Sequence, residues 1–196
     1  MLIISKVMTV TLDGESLTID KLVDVARNKH QVEVTKGAWQ RIESCRKMLE
    51  KKIEDHETMY GVTTGIGEFS EVTLTPEQIK EFQKLLVYSH AAGIGEPMEI
   101  EVVRGAMCGR INVHSKGHSA GRKEVTEYLA KSLNHGLTPV VCEKGSVGAC
   151  GDLAPMSQIA LALMGEGEMF VNGEITESKA ALKSIGLKPL ELEARD

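Results

Sequence analysis

Apolar and polar positions alternate at the start of the chain. "VMTVTL" is followed by Asp13-Gly14 and then "ESLTI". An Asp-Gly pair between two alternating runs predicts a β-hairpin. The opening "MLIISKVMTV" is apolar only in short runs and carries Lys6, so it reads as a strand rather than a signal peptide. The period then lengthens. "DKLVDVARN" predicts a short helix, and Thr35 is placed to cap a longer one from Lys36 to about Glu54, where Trp39, Ile42, Met48, Leu49 and Ile53 recur near helical spacing. "MYGVTTGIGEFSEVTL" fits neither period and predicts a loop. "TPEQ" then opens a helix, with Thr75 as N-cap, Pro76 at the first position and Gln78 at the third. That helix runs through "IKEFQKLLVYSH" and stops near Gly93 or Gly95. Two more follow, over "MEIEVVRGAMCGRINVHS" and "RKEVTEYLAKSLNHG", the second closed by Gly136.

A largely buried helix is predicted over "DLAPMSQIALALMG", with Asp152 at its N-cap. "MFVNGEIT" predicts a hairpin turning at Asn172-Gly173. Thr176 is placed to cap a last short helix, "ESKAALKSIG", and "PLELEARD" reads as a polar end. The chain is therefore mainly α with small β-hairpins. No internal repeat, low-complexity linker or domain boundary interrupts it.

Composition narrows the function classes. The 196 residues suffice for one domain with a real core, and 42% hydrophobic with 26% charged content predicts a folded chain. A net charge of -5 and no basic face argue against nucleic acid and anionic membrane as partners. No apolar run is long enough to span a bilayer. Cys45, Cys108, Cys142 and Cys150 show no CxxC spacing, which suits reduced thiols in a cytoplasmic protein. His114 and His118 lie four apart, but Gly117 intervenes and no HExxH pattern exists, so no metal site is predicted.

The candidate chemistry sits in "GSVGACGDLAP", residues 145–155. Several readings of this loop stand side by side. Its glycines suit a tight helix start. It lacks the GxxxxGK[ST] pattern of a phosphate-binding loop. Cys150 at a helix N-terminus is a candidate thiol nucleophile, although no base is adjacent in sequence. A fourth reading uses the small side chains themselves. If the Gly151 nitrogen attacks the Ala149 carbonyl and water is lost, a five-membered imidazolone forms. Residue 150 then loses its Cβ substituent to leave an exocyclic methylidene: water from serine, hydrogen sulfide from cysteine. The helix dipole would enhance the electron demand of that group.

This stretch resembles the GSxGASGDLAP signature of the aromatic amino-acid ammonia-lyases and aminomutases. "YGVTTGIGE" is similar to that family's YGxxTGxG loop, "SHAAGIGEP" to its SHAAGxG segment, and "LMGEGEMFVNGE" to its LxGEG hairpin region. The resemblance covers nearly the whole chain. It implies the N-terminal, ring-bearing domain of a longer protein, residues 1–196 here, with the central helical bundle of the ammonia-lyase (fumarase/aspartase-like) fold absent. It implies a homotetramer whose sites are shared between subunits, and no external cofactor.

Residue by residue, Ala149, Cys150 and Gly151 fall on the triplet that cyclises to methylidene-imidazolone (MIO), and Asp152 on the acid thought to assist cyclisation. Tyr60 falls on the catalytic tyrosine that removes the β-proton of the substrate. Gly61, Gly65 and Gly67 fall in a mobile lid, with Gly67 and Glu68 beside the substrate. The Glu68 context is closer to tyrosine aminomutases. The bland reading makes Tyr60 a buried core residue and Glu68 a solvated loop acid. His90 falls on the histidine that lies along the substrate side chain; its structural alternative is a histidine satisfied by helix-terminal carbonyls. Ser119 and Arg122 fall on structural positions.

The implied activity of a full-length protein is non-oxidative deamination of L-histidine or L-tyrosine to the arylacrylate and ammonia, with the isolated chain inactive. A tyrosine or phenylalanine 2,3-aminomutase is the enzymatic alternative. A catalytically dead fragment or assembly subunit is the non-enzymatic one. Cys150 is the departure that matters most, since serine is the rule at that position.

Overall fold

The computed structural model describes residues 8–148 and 151–196. Strand β1 (Thr9–Leu12) turns Val10 and Leu12 inward and both threonines outward, as the alternation predicts. Its partner is not the following segment. β1 pairs in parallel with β2 (Gln31–Val34), Thr9 opposite Gln31 and Leu12 opposite Val34, and helix α1 (Ile19–Ala26) connects them. The predicted first hairpin is therefore corrected to a β-α-β unit. The Asp13 carboxylate accepts the amides of Ser16 (2.7 Å) and Glu15 (2.8 Å), which holds its pKa down to about 2. That local turn leads into Thr18, whose hydroxyl caps α1 by accepting Lys21 N–H. Gly14 serves the packing of a later helix: at φ +90°, its N–H reaches Asn112 Oδ1 (3.0 Å), and a Cβ there would lie 2.8 Å from the Lys116 nitrogen.

The remaining helices follow the capping signals more closely. Thr35 caps α2 (Lys36–Glu54), and Thr75 with Gln78 forms a reciprocal capping box on α3 (Pro76–His90). Helix α4 (Ile100–Ser115) runs through the core. Val103, Met107, Ile111 and Ser115 recur every fourth position on its buried side, with Arg104 and Cys108 beside them. It packs on α1, α2 and α5 (Lys123–Asn134). The Asn134 amide completes the edge of β2, accepting Val32 N–H (2.7 Å) and donating to Val32 C=O (3.0 Å), as a neighbouring strand would.

Arg104 is 2% exposed, and among the described residues its hydrogen-bond partners are carbonyls: Val25 (2.8 Å), Leu133 (3.1 Å) and Ala26 (3.3 Å). These are last-turn carbonyls of α1 and α5, so one guanidinium joins two helix C-termini whose dipoles favour a cation.

Short strands complete the fold. β3 (Ile94–Pro97) pairs antiparallel with β5 (Cys142–Lys144). β4 (Leu137–Pro139), β6 (Glu168–Val171) and β7 (Glu174–Glu177) form an antiparallel sheet in the order β4-β6-β7. The predicted turn at Asn172-Gly173 is present, with φ of +53° and +88°. Helix α6 (Leu153–Leu163) is only partly buried, with Ile159, Ala162 and Leu163 inside. Thr176 does not cap the last helix: it pairs with Met169 in β7, and α7 (Ser178–Ser184) starts after Glu177.

The C-terminal segment is also corrected. It is not a polar end, because Leu190, Leu192 and Ala194 alternate inward and Leu190 N–H donates to Leu163 C=O (2.9 Å). Asp196, its side chain fully buried, accepts from Arg122 Nε (2.7 Å) and from the Arg122 and Glu193 amides. One apolar cluster runs from Val10 to Leu192. Among the described residues, no helix is long and apolar enough to cross a membrane.

Candidate active site

The loop from Gly145 to Asp152 leaves β5 and enters α6. Ala149 and Cys150 lie outside the described residues, so the geometry of the triplet is read from its flanks. Gly148 and Gly151 take φ of +72° and +85°, and a Cβ at either would meet nothing within 4 Å. They are glycines for backbone conformation rather than for space. Gly151 N–H donates back to Gly148 C=O over a long 3.4 Å. Ser146 Oγ accepts from Gly148 N–H (3.1 Å) and donates to Asp152 Oδ1.

Asp152 stands at the N-cap position of α6 as predicted, but it does not cap. Its backbone is left-handed (φ +55°, ψ +48°) and its side chain makes no capping bond. Pro155, the third helical residue, has no N–H to offer a capping side chain. The carboxylate turns to Ser146 instead. A non-glycine residue in this region costs about 1–3 kcal/mol and persists only where its surroundings over-determine it.

His90 ends α3 half-buried, with Nδ1 2.8 Å from Leu86 C=O and 2.9 Å from Ser89 Oγ. A carbonyl only accepts, so Nδ1 carries the proton and Nε2 is an acceptor when the ring is neutral. The structural reading and the substrate-facing one each claim a different nitrogen. The chain then passes through Gly93, which abuts both Gln158 of α6 and Gly145. Gln158 Oε1 accepts Cys142 N–H (3.1 Å) while its Nε2 donates to Cys142 Sγ (3.2 Å). Gly93, Gly145 and α6, through Ala154 and Gln158, thus pack against one another. Sequence reasoning missed Gln158 and Ser146. The signal for Gln158 was a lone amide in the apolar run "MSQIALAL".

Tyr60, Gly67 and Glu68 form a second group. Tyr60 is 64% exposed, which excludes the buried-core reading in this chain, and its hydroxyl accepts Gly67 N–H (3.1 Å). Glu68 is exposed in a single 3₁₀ turn, Gly67–Phe69. The loop is tied to itself. Thr63 Oγ1 accepts Met59 N–H (2.8 Å) and donates to Glu57 C=O (2.8 Å), and Leu74 N–H reaches Thr63 C=O (2.9 Å). Gly61 and Gly67 take left-handed φ, and a Cβ on Gly65 would lie 2.6 Å from Phe69 Cβ. Turn geometry suits Gly61 and Gly67, and close approach suits Gly65. Among the described residues, no hydrogen bond joins this loop to the 145–152 loop.

Other candidates fall away. His114 Nδ1 meets Thr126 Oγ1 (3.0 Å), and burial, aided by Arg110, pulls its pKa down to about 4. No group of three metal-ligating residues exists among those described. Burial pushes the Cys108 thiol up to about 11, the opposite of an activated nucleophile. A cleft of ≈ 780 Å³ between α3 and the C-terminal segment, lined by Lys80, Lys84, Met164, Leu190 and Glu193, contains none of the candidate residues.

A family model described as aromatic amino acid lyase matches residues 17–196. The chain is 40% identical over 187 residues to a histidine ammonia-lyase of Alkaliphilus oremlandii, covering 95% of this chain and 37% of that protein. Its fold superposes on ergothionase, an ergothioneine-degrading enzyme of Treponema denticola, with a TM-score of 0.92 at 29% identity, covering 96% of this chain and 38% of that one. A tyrosine aminomutase of Streptomyces globisporus gives 0.89 at 36% identity, covering 96% and 35%. The chain therefore spans little more than a third of the relatives it matches. With the family model covering all but the first sixteen residues, the chain belongs to the aromatic amino acid lyase family.

Proposed function

We propose that this chain is the ring-bearing portion of a carbon–nitrogen lyase that deaminates L-histidine or L-tyrosine. The observation that carries the reading is the clasped loop 145–152 at the head of α6, packed through Gly145 against the segment that follows His90. Ala149, Cys150 and Gly151 are the residues that would form the MIO ring. Once formed, that ring supplies an electrophile that makes the substrate amine a better leaving group. Asp152 holds a carboxylate beside the triplet. With Nδ1 held at the Leu86 carbonyl, His90 leaves Nε2 as the ring nitrogen to meet the N–H of an imidazole or the O–H of a phenol.

Tyr60 is the proposed base for the β-proton. A carbon acid this weak demands close placement of the base. The Tyr60 loop exposes Tyr60, Phe69 and Val72, consistent with a site completed by further polypeptide, as in a homotetramer with shared sites. An aminomutase is the second reading, favoured by the 36% identity to the tyrosine aminomutase and by Glu68 after the TTGIG run. The amine would then return to the β-carbon of the same substrate.

The test is to assay the full-length protein with L-histidine, L-tyrosine and L-phenylalanine, following both arylacrylate absorbance and β-amino acid. Turnover of histidine or tyrosine is expected. Tyr60→Phe should lower it about 100-fold or more, the scale of general-base catalysis. His90→Leu should shift preference toward phenylalanine. Absence of turnover with all three, together with an unchanged mass at the triplet, would favour the assembly-subunit reading instead.

A further inference from the structure

We propose that the outer face of α1 and α4 is an interface with a second copy of this chain, formed by α4 packing antiparallel on α4 of the partner. The face carries none of the candidate site residues, so it stands apart from the ring and base readings. The inner positions of α4, Val103, Met107, Ile111 and Ser115, are buried. Its opposite side is apolar as well. Val102 is 53% and Val113 48% exposed, with Ala106 exposed and Gly109 half-buried between them. At about 100° per residue these four fall within about 60° of one another. A helix that is apolar on two sides is one that packs on two sides.

Helix α1 lies antiparallel beside α4. Arg27, at the end of α1, grips Glu101 at the start of α4 (2.9 and 3.0 Å), while Gly14, ahead of α1, donates to Asn112 near the end of α4 (3.0 Å). An open groove of ≈ 370 Å³ runs between them, lined by Leu22, Val23 and Ala26 of α1 and by Val102, Gly105 and Ala106 of α4. Ile19, the first residue of α1, is 80% exposed. A Cβ built on Gly109 would meet nothing within 4 Å, so a neighbouring helix has room to come close there.

The order of residues along α4 identifies the occupant. Two antiparallel copies, related by a two-fold axis at mid-helix, set Val102 level with the partner's Val113 and Ala106 level with the partner's Gly109. The same register sets Glu99, the N-cap, level with the partner's Lys116, the C-cap. Both charges are exposed, and among the described residues neither enters a salt bridge within the chain. Each then meets its opposite, twice per dimer, whereas parallel copies would set like charges together. The helix dipoles also oppose one another. A two-fold contact has to be self-complementary, and a face with an apolar centre and ends of opposite sign is so. A uniformly basic or acidic partner would satisfy one end only.

Sedimentation velocity of the chain over a concentration series tests this, and a dimer is expected. Ala106→Arg, which puts a charge at the centre of the contact, is expected to weaken it about 100-fold or more. Val113→Glu is expected to act in the same direction. Both sites are exposed, so far-UV circular dichroism should stay unchanged. Glu99→Lys and Lys116→Glu each set like charges level with one another and are expected to weaken the dimer about threefold or more. The double variant E99K/K116E restores opposite signs and is expected to recover the parent affinity. A chain that stays monomeric to about 1 mM, where even a weak pair associates, overturns the proposal and leaves the face to a different polypeptide. A dimer that Ala106→Arg and Val113→Glu leave intact overturns it by placing the contact elsewhere. Failure of the double variant to rescue the single reversals overturns the antiparallel register.

Discussion

Gly93 and Gly145 meet backbone to backbone: a Cβ built on Gly145 would lie 3.0 Å from Gly93 Cα and 3.2 Å from Ala154 Cβ. A Cβ on Gly93 would in turn lie 2.4 Å from Gln158 Oε1. Two glycines from distant parts of the chain thus set how closely the segment after His90 approaches the loop that bears the candidate triplet.

The first prediction follows from that contact. Gly93→Ala displaces Gln158, which is itself bonded to the Cys142 amide and thiol. The expected cost is about 1–3 kcal/mol, the range for overpacking. Gln158→Ala on the same background should recover part of that loss, because the clashing atoms are then gone. Denaturant midpoints of the two single variants and the double variant check this. A strictly additive double variant would show that the clash lies elsewhere.

Arg104 supplies the second. Its guanidinium binds carbonyls at the ends of two helices, with burial lowering its pKa and, among the described residues, no carboxylate as a hydrogen-bond partner. Arg104→Met leaves those buried carbonyls unpartnered, at a cost of about 3 kcal/mol or more. Arg104→Lys should recover little, since an ammonium lacks the planar fork that reaches both helices. Thermal midpoints measure both. Equal stability of the Met variant and the parent would show that the fork contributes nothing net.

The third concerns pH. A free histidine gains its proton near pH 6.5, whereas buried His114, held between Thr126, Arg110 and Asp196, gains it only near pH 4. Between those values the unfolded chain binds more protons, so stability rises with pH. This contribution is complete above about pH 6.5 and is lost as pH falls toward 4, amounting to about 3 kcal/mol at most. His114→Gln should flatten the slope of stability against pH across that window. An unchanged slope would assign it to carboxylates.

Much of this fold is legible because its signals are local. Thr35, Thr75 with Gln78, and Asn172-Gly173 each act on residues within four positions, so spacing alone reveals them. Asp13-Gly14 misleads for the same reason. It is a real turn signal, but the turn feeds a helix cap at Thr18, and nothing local distinguishes that from a hairpin. "PLELEARD" reads as polar because five of its eight residues are polar or proline, yet its alternate residues dock on the core and Asp196 finds Arg122. The candidate triplet, Tyr60, His90 and Asp152 were named from motifs, and Ser146 lies in the same motif although its bond to Asp152 does not show there. Gln158 was not named, because its partner Cys142 lies sixteen positions away.

By itself the amino-acid sequence determined the helices, the caps at Thr35 and Thr75, the second hairpin and the family motifs, since each is written in side chains a few positions apart. Tertiary structure alone decided that β1 pairs with β2, that Asn134 closes the edge of that sheet, and that Asp152 serves the loop instead of the helix. Backbone donors and acceptors pair equally well with many partners. The choice among them falls to burial and close packing across the whole chain, which no local window contains.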